Sequence, residues 1–204
     1  MTDTGSKALE ALPPLVSTTT KVLILGSFPG AASLRAQQYY GHPRNHFWPI
    51  LQAVWPYEPM DTGQSSYENR SKWLLAHGLG VWDVYASCER DGSLDRNIRN
   101  AVLNDFSTIK QMCPALLAIA HNGGESFRHS GHVMDSLRAP GEAARRGGLQ
   151  EASAAPTGES ELHEARGVEI HLYKLPSTSP ANASWNFQRK LDAWRKLFEK
   201  YGLA

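Results

Sequence analysis

Four short apolar runs limit what this chain can fold into: KVLILG (21–26), LGVWDVY (79–85), ALLAIAH (115–121) and VEIHLYKL (168–175). The first three are almost uninterrupted, as expected of strands covered on both faces. Helix-like segments lie between them. NHFWPILQAVW (45–55) is amphipathic, and Pro49 is tolerated there only in a first turn. YENRSKWLLAHG (67–78) ends on Gly78, a suitable C-cap. Asn97 to Met112 and Glu125 to Leu137 also read as helices. In SWNFQRKLDAWRKLFEKYG (184–202), Trp185, Leu191, Trp194, Phe198 and Tyr201 belong to a buried stripe, and Ser184 can cap it. Strands alternating with helices predict an α/β chain with a parallel sheet between helices.

With 204 residues the chain can bury one sizeable core. Residues 1–20 read as a flexible lead-in, and residues 21–204 as one domain. Within it, 139–167 is rich in Ala, Gly, Glu and Arg without apolar period, the composition of a flexible surface insertion. No run has the length of a membrane span. The N-terminus lacks the apolar core of a signal peptide. The expectation is a soluble, cytoplasmic protein, associated with the nucleoid in a prokaryote. The two cysteines, Cys88 and Cys113, read as free thiols. His42 and His46 could share a helix face, but no Cys pair or HExxH accompanies them, so no metal site is expected. A net charge of +1 is not that of a non-specific DNA binder, although a local basic face would suffice for a DNA enzyme.

In parallel sheets, ligands sit at the carboxyl ends of strands. Each run here is followed by an unusual loop: GSFPG, ASCERDGSLDRN, HNGGES and PSTSPANAS. GSFPG is neither a dinucleotide fingerprint nor a P-loop. It is either a turn that packs Phe28, or a loop that offers Phe28 as a flat surface and Gly26 and Ser27 as backbone amides. Asn122 is either a turn residue or a fixed carboxamide that reads the edge of a base. Asp83 ends an apolar strand, where a carboxylate is costly unless it is bonded or functional. The hydroxyls of PSTSPANAS suit phosphate.

The order of these motifs is more specific than any one of them. GSFPG, YYGHPRNHFW, GVWDVYASCERDGSLDRNIRN, HNG and LPSTSPANA together resemble the uracil-DNA glycosylase superfamily, within it the hypoxanthine-DNA (deoxyinosine) glycosylase branch. The similarity runs from about Lys21 to the C-terminal helix. It implies a three-layer α/β/α sandwich around a four-stranded parallel sheet. It implies a monofunctional enzyme that hydrolyses the N-glycosidic bond of a deaminated base without metal or cofactor, and the expected oligomeric state is a monomer. Its partner would be double- or single-stranded DNA containing that base, with no membrane involved. Uracil enzymes carry an Asp or Asn shortly after the first motif's glycine, where this chain has Phe28, Pro29 and Gly30. The hypoxanthine branch instead uses the asparagine of RN-[HQ]-FW, which is Asn45. Asn122 takes the base-reading position. LPSTSP replaces the His-Pro-Ser of relatives, with Leu175 before Pro176.

The site expected from this resemblance has Asn45 as the catalytic residue. Gly26, Ser27, Phe28, Tyr40, Asp83 and Asn122 would surround the base. Ser177, Ser179, Pro180, Asn182 and Arg44 would contact DNA, with Arg35 and Arg189 as further candidates. Asn45 has a second reading as the N-cap of the following helix. Tyr39, Tyr40 and His42 either line a pocket or pack in the core, while Phe47 and Trp48 are core candidates. Two other functions fit the pattern: a uracil or mismatch-specific pyrimidine glycosylase, and a non-catalytic nucleic-acid-binding module.

Overall fold

A computed structural model describes residues 8–60, 66–138 and 169–204. Four parallel strands form the central sheet in the order β3-β2-β6-β7: β2 (Val22–Gly26), β3 (Leu79–Asp83), β6 (Ala118–Asn122) and β7 (His171–Leu175). Alternation along each strand divides the core in two. Val22, Ile24, Val81 and Ala120 face one side, and Leu23, Leu25, Trp82 and Ile119 the other. The first side packs against α2 (Phe47–Val54), α3 (Ser66–Ala76) and the C-terminal α7 (Phe187–Lys200). The second packs against α4 (Ile109–Met112) and α6 (Ser130–Leu137). The fold is therefore the expected three-layer sandwich. Phe47, Ile50, Trp194 and Phe198 are buried in the first layer, Phe47 and Trp48 among the core as read from sequence. Two short helices remain: α1 (Ala31–Ala36) after β2 and α5 (Gly124–Phe127) after β6.

Several local expectations are corrected. The segment 97–112 is not one helix. Arg99–Leu103 forms β5, which pairs antiparallel with β4 (Tyr85–Glu89), and only Ile109–Met112 is helical. Tyr85 and Cys88 are buried in β4, so its backbone needs a ladder partner, and that demand overrides local helix propensity. The segment 125–137 is two helices separated at His129, whose Nε2 lies 2.7 Å from the Tyr85 hydroxyl. α7 starts later than expected. Its cap is Asn186, whose Oδ1 accepts the Arg189 N–H at 2.9 Å, while Ser184 bonds Asn182.

The lead-in is part of the fold from residue 8 onward. β1 (Leu9–Glu10) pairs with β4, completing a small sheet in the order β1-β4-β5. Leu12 is buried, and its carbonyl accepts from the Tyr39 hydroxyl. Leu15 and Val81 exchange both backbone hydrogen bonds at 2.9 Å, which covers the outer edge of β3. An uncovered edge would leave a row of unpaired groups, so polar composition alone misjudged this segment. The 139–167 insertion lies outside the described residues.

Leu15→Pro removes one of these donors, and we expect a cost of about 1–3 kcal/mol. A urea-unfolding midpoint equal to wild type would show that the strand edge does not depend on this segment.

Candidate active site

Gly26, Asp83 and Asn122 end three neighbouring parallel strands, and the loop after β7 supplies the fourth side. Between them is a cavity of about 390 Å³, large enough for one nucleobase and its sugar. All the residues expected to surround the base line it, as do Asn45, Ser177, Ser179, Pro180 and Asn182. Arg44 does not. It is exposed and lines an adjoining groove together with Asn45, His46, Pro180 and Lys190.

The Asn122 carboxamide is fully engaged on its donor side. Nδ2 donates to the Tyr40 hydroxyl at 3.1 Å and to Thr178 Oγ1 at 2.9 Å, and Oδ1 accepts the Thr178 N–H at 2.9 Å. Only one lone pair of Oδ1 remains available to a ligand. Because the Tyr40 oxygen already accepts, its own O–H is free to donate into the cavity. Burial, reinforced by the charge of Asp83, holds that hydroxyl well above its ordinary pKa, so it stays protonated. The Tyr40 ring stacks on Phe47 at 3.8 Å, and its backbone takes the unusual φ of 54°.

Asp83 is buried, and its Oδ2 has no hydrogen-bond partner among the described residues. Desolvation raises its carboxyl from 3.8 to about 7; Asp95 adds to the rise and Arg90 opposes it. Any side chain on residue 26 would collide with Asp83 Oδ1, which explains the glycine. Phe28 is 6% exposed and packs with Tyr85 and Cys88. The Arg90 guanidinium lies 5.0 Å from its ring centroid and donates to the Pro29 carbonyl at 2.5 Å. Phe28 therefore both packs in the protein and forms part of the cavity wall.

Asn45 immediately precedes His46, the N-cap of α2. Its Oδ1 accepts the Phe47 N–H at 2.9 Å at the start of α2, and the residue lines the cavity. The carbonyl oxygen retains a second lone pair. The His46 N–H donates to the Thr178 carbonyl at 3.0 Å, which fastens this segment to the loop after β7. In that loop, Ser177 Oγ accepts the Ser179 N–H and Ser179 Oγ accepts the Ala181 N–H, both at 3.2 Å. Arg189 stacks on Trp185 at 4.5 Å, and Arg35 lies in the last turn of α1.

Thr178, one of the three hydroxyls that read as suited to phosphate, and the turn Ser93–Arg96, which the sequence does not mark as part of a site, are both in the cavity wall. The turn is fastened to GSFPG by contacts across more than sixty residues: the Ala31 N–H donates to Ser93 Oγ, and Ser27 Oγ donates to Asp95 Oδ1. Nothing local signals such pairing, although DGS marks a turn.

The sequence profile of the uracil DNA glycosylase superfamily matches residues 13–198. The chain belongs to that superfamily. It is 38% identical over 132 residues to a hypoxanthine DNA glycosylase of Methanosarcina barkeri, covering 65% of this chain and 79% of the relative. It is 38% identical over 129 residues to the Methanosarcina acetivorans hypoxanthine DNA glycosylase, covering 63% and 77%. The solution NMR structure of a candidate uracil DNA glycosylase from M. acetivorans superposes with a TM-score of 0.69 at 28% identity, over 95% of this chain and 98% of that one.

This glycosylase has no helix among the described residues that is long and apolar enough to cross a membrane. Nor does any group of three or more His, Cys, Asp or Glu among those residues form a candidate metal cluster.

The fold favours the neutral form of Asp83, so its contribution to stability is complete below about pH 4 and is lost as pH rises through about 7. His121 opposes this trend, because burial lowers its pKa to about 4. The useful quantity is therefore the difference between Asp83→Asn and wild type. We expect the variant to gain stability relative to wild type by a few kcal/mol between pH 4 and 8. Parallel stability–pH curves in urea would contradict the assignment.

Proposed function

We propose that this enzyme removes a deaminated base, most readily hypoxanthine from deoxyinosine, and so initiates base excision repair. The observation that carries the reading is the position of Asn45. Its carboxamide forms part of the cavity wall at the carboxyl edge of the sheet, opposite the polar ends of β3 and β6. The names of both Methanosarcina relatives support the choice of base.

A base stacked in a duplex cannot reach this cavity, so the nucleotide must flip out, most cheaply where the base is mispaired. Inosine pairs poorly with most partners. Phe28 stacks on the flipped base, an interaction worth about 1–3 kcal/mol. Hypoxanthine presents an N–H donor beside a carbonyl acceptor. The Tyr40 O–H donates to the carbonyl, and Asp83 accepts the N–H.

Cleavage of the bond between C1′ and the base nitrogen leaves positive charge on the sugar and negative charge on the base. Water adds to C1′, and its proton ends on the departing base or in solvent. Asn45 is neutral and no strong base. Its free lone pair accepts from the water and holds it near C1′, a proximity effect. The Tyr40 hydroxyl and the loop amides stabilise the leaving base, as donors do in oxyanion sites. Asn122 acts through Tyr40 and Thr178 and keeps one oxygen lone pair for the base.

The test is alkali-induced nicking of oligonucleotides carrying inosine, uracil or xanthine. Inosine should be excised fastest, and Asn45→Ala should lose roughly 100-fold or more in rate while its circular dichroism stays native and its stability falls only by the roughly 0.5–2 kcal/mol of a lost bond at a helix start. Preferred excision of uracil would point to a pyrimidine enzyme. Duplex binding without release of any base would point to a non-catalytic module.

A further inference from the structure

Gly26 ends β2 without a side chain, and two oxygens from other elements stand above it. A Cβ at that position would meet Asp83 Oδ1 and, at 3.7 Å, the Tyr40 hydroxyl oxygen. The two groups are thus neighbours in the cavity wall. The Tyr40 oxygen accepts from Asn122 Nδ2 at 3.1 Å, so its O–H is the donor of the pair. Asp83 Oδ2 has no hydrogen-bond partner among the described residues, so the carboxylate is the acceptor. A donor beside an acceptor matches the lactam edge that deamination creates, a carbonyl next to a ring N–H.

A carboxylate is the costly choice of acceptor. Asp83 is 4% exposed, and burial penalises its charge. An asparagine has nearly the same shape, would accept the same N–H and would bury no charge. On the other side of β2, β6 does end on an asparagine. What an asparagine at residue 83 could not do is withhold a donor, because its amide can turn an N–H toward any ring nitrogen. An ionised carboxyl has no hydrogen to offer.

Adenine is the parent of hypoxanthine and differs from it at this edge alone. It presents an unprotonated N1 and a 6-amino group, an acceptor where hypoxanthine has a donor. The Tyr40 hydroxyl can adapt to the amino group by turning its hydrogen away. An acceptor facing N1 has no such remedy. We propose that the negative charge of Asp83 excludes adenine: the carboxylate accepts N1–H from hypoxanthine but meets N1 of a flipped adenine lone pair to lone pair. This rests on the glycosylase reading and deepens it, by assigning the discrimination between a damaged base and its parent to one ionisable group.

Protonation of Asp83 then opens the site to adenine, because the acid O–H donates to N1. The groups that face Asp83 are Arg90 just after β4, Asp95 in the turn before β5, and Tyr39 and Tyr40 after α1. Both tyrosines are held above their ordinary pKa and stay protonated. Burial, with Asp95 adding and Arg90 opposing, brings the Asp83 carboxyl to about 7. Discrimination is therefore strongest above that pH and declines as pH falls through it.

The experiment measures single-turnover excision of hypoxanthine and of adenine. Each is placed opposite a tetrahydrofuran abasic site, so that neither base is paired, and protein-free controls are subtracted. For wild type the hypoxanthine-to-adenine rate ratio should fall by about 10-fold or more between pH 8.5 and 5.5. Asp83→Asn should show the low ratio at every pH. A wild-type ratio independent of pH, or an Asp83→Asn ratio equal to that of wild type at pH 8.5, would overturn the proposal. Binding gives a readout that needs no catalysis, because 2′-fluoroarabino analogues of deoxyinosine and deoxyadenosine resist hydrolysis. Opposite the same abasic site at pH 8.5, wild type should bind the inosine duplex about 10-fold or more tightly than the adenine duplex. Asp83→Asn should lose most of that preference. If wild type releases neither base, the glycosylase reading fails on its own. The binding preference then decides the role of Asp83, and equal affinities at pH 8.5 overturn it.

Discussion

One carboxamide joins the parts of this site. Asn122 ends β6 and bonds three groups: the Tyr40 hydroxyl, the Thr178 hydroxyl and the Thr178 backbone N–H. Thr178 is fully buried and passes the alignment on, because its carbonyl accepts the His46 N–H beside Asn45. From below, α7 fixes the same loop: Trp194 Nε1 donates to the Pro176 carbonyl at 3.1 Å, and Lys190 Nζ to the Ser179 carbonyl at 3.3 Å. A typical neutral hydrogen bond contributes only about 1 kcal/mol net. The same three bonds matter more when broken, since each would strand a polar group in a place with little water. The tyrosine wall, the loop after β7 and the Asn45 segment therefore keep their spacing through one side chain.

Asp83 illustrates the opposite choice. Its Oδ2 is left unbonded, and the carboxyl stands at the balance point of its two forms near neutral pH. A structural aspartate at the end of a strand would be expected to bond the neighbouring loop amides. Here the side chain crowds Gly26, and Asn104 bonds only the backbone carbonyl of residue 83, at 2.8 Å. A group kept dry and unpaired at this cost, in a cavity wall, is suited to a ligand that completes its bonding. Arg90 softens the penalty through its charge; its Nη2 donates to the Pro29 carbonyl and its guanidinium lies over the face of Phe28.

The parallel sheet was legible because its strands are buried on both faces and so read as unbroken apolar runs. The cavity-lining residues at their ends were legible because cavities of such sheets open at the carboxyl ends of the strands. What stayed hidden is long-range. β5 reads as helix in the sequence because its need for an antiparallel partner cannot be seen in Arg99–Leu103 alone. The lead-in reads as a loose segment because covering the edge of β3 leaves no apolar period. The turn Ser93–Arg96 was passed over because its two anchors lie more than sixty residues upstream.

The cap and the catalytic reading of Asn45 are competing accounts in the sequence; in the structure the N-cap is His46, and Asn45 Oδ1 accepts the Phe47 N–H from one residue earlier while the residue lines the cavity. A carbonyl oxygen has two lone pairs, and the Phe47 N–H occupies one. That bond fixes the plane of the carboxamide against the first turn of a helix whose Phe47 is fully buried. The remaining lone pair then has a defined direction. An unfastened asparagine would lose rotamer freedom on binding water, and the reaction would have to overcome that loss. The bond to Phe47 meets the ordering cost during folding. A neutral side chain that offers orientation and no basicity can contribute only if it is already ordered, and the bond to Phe47 would supply that order to the role proposed for Asn45.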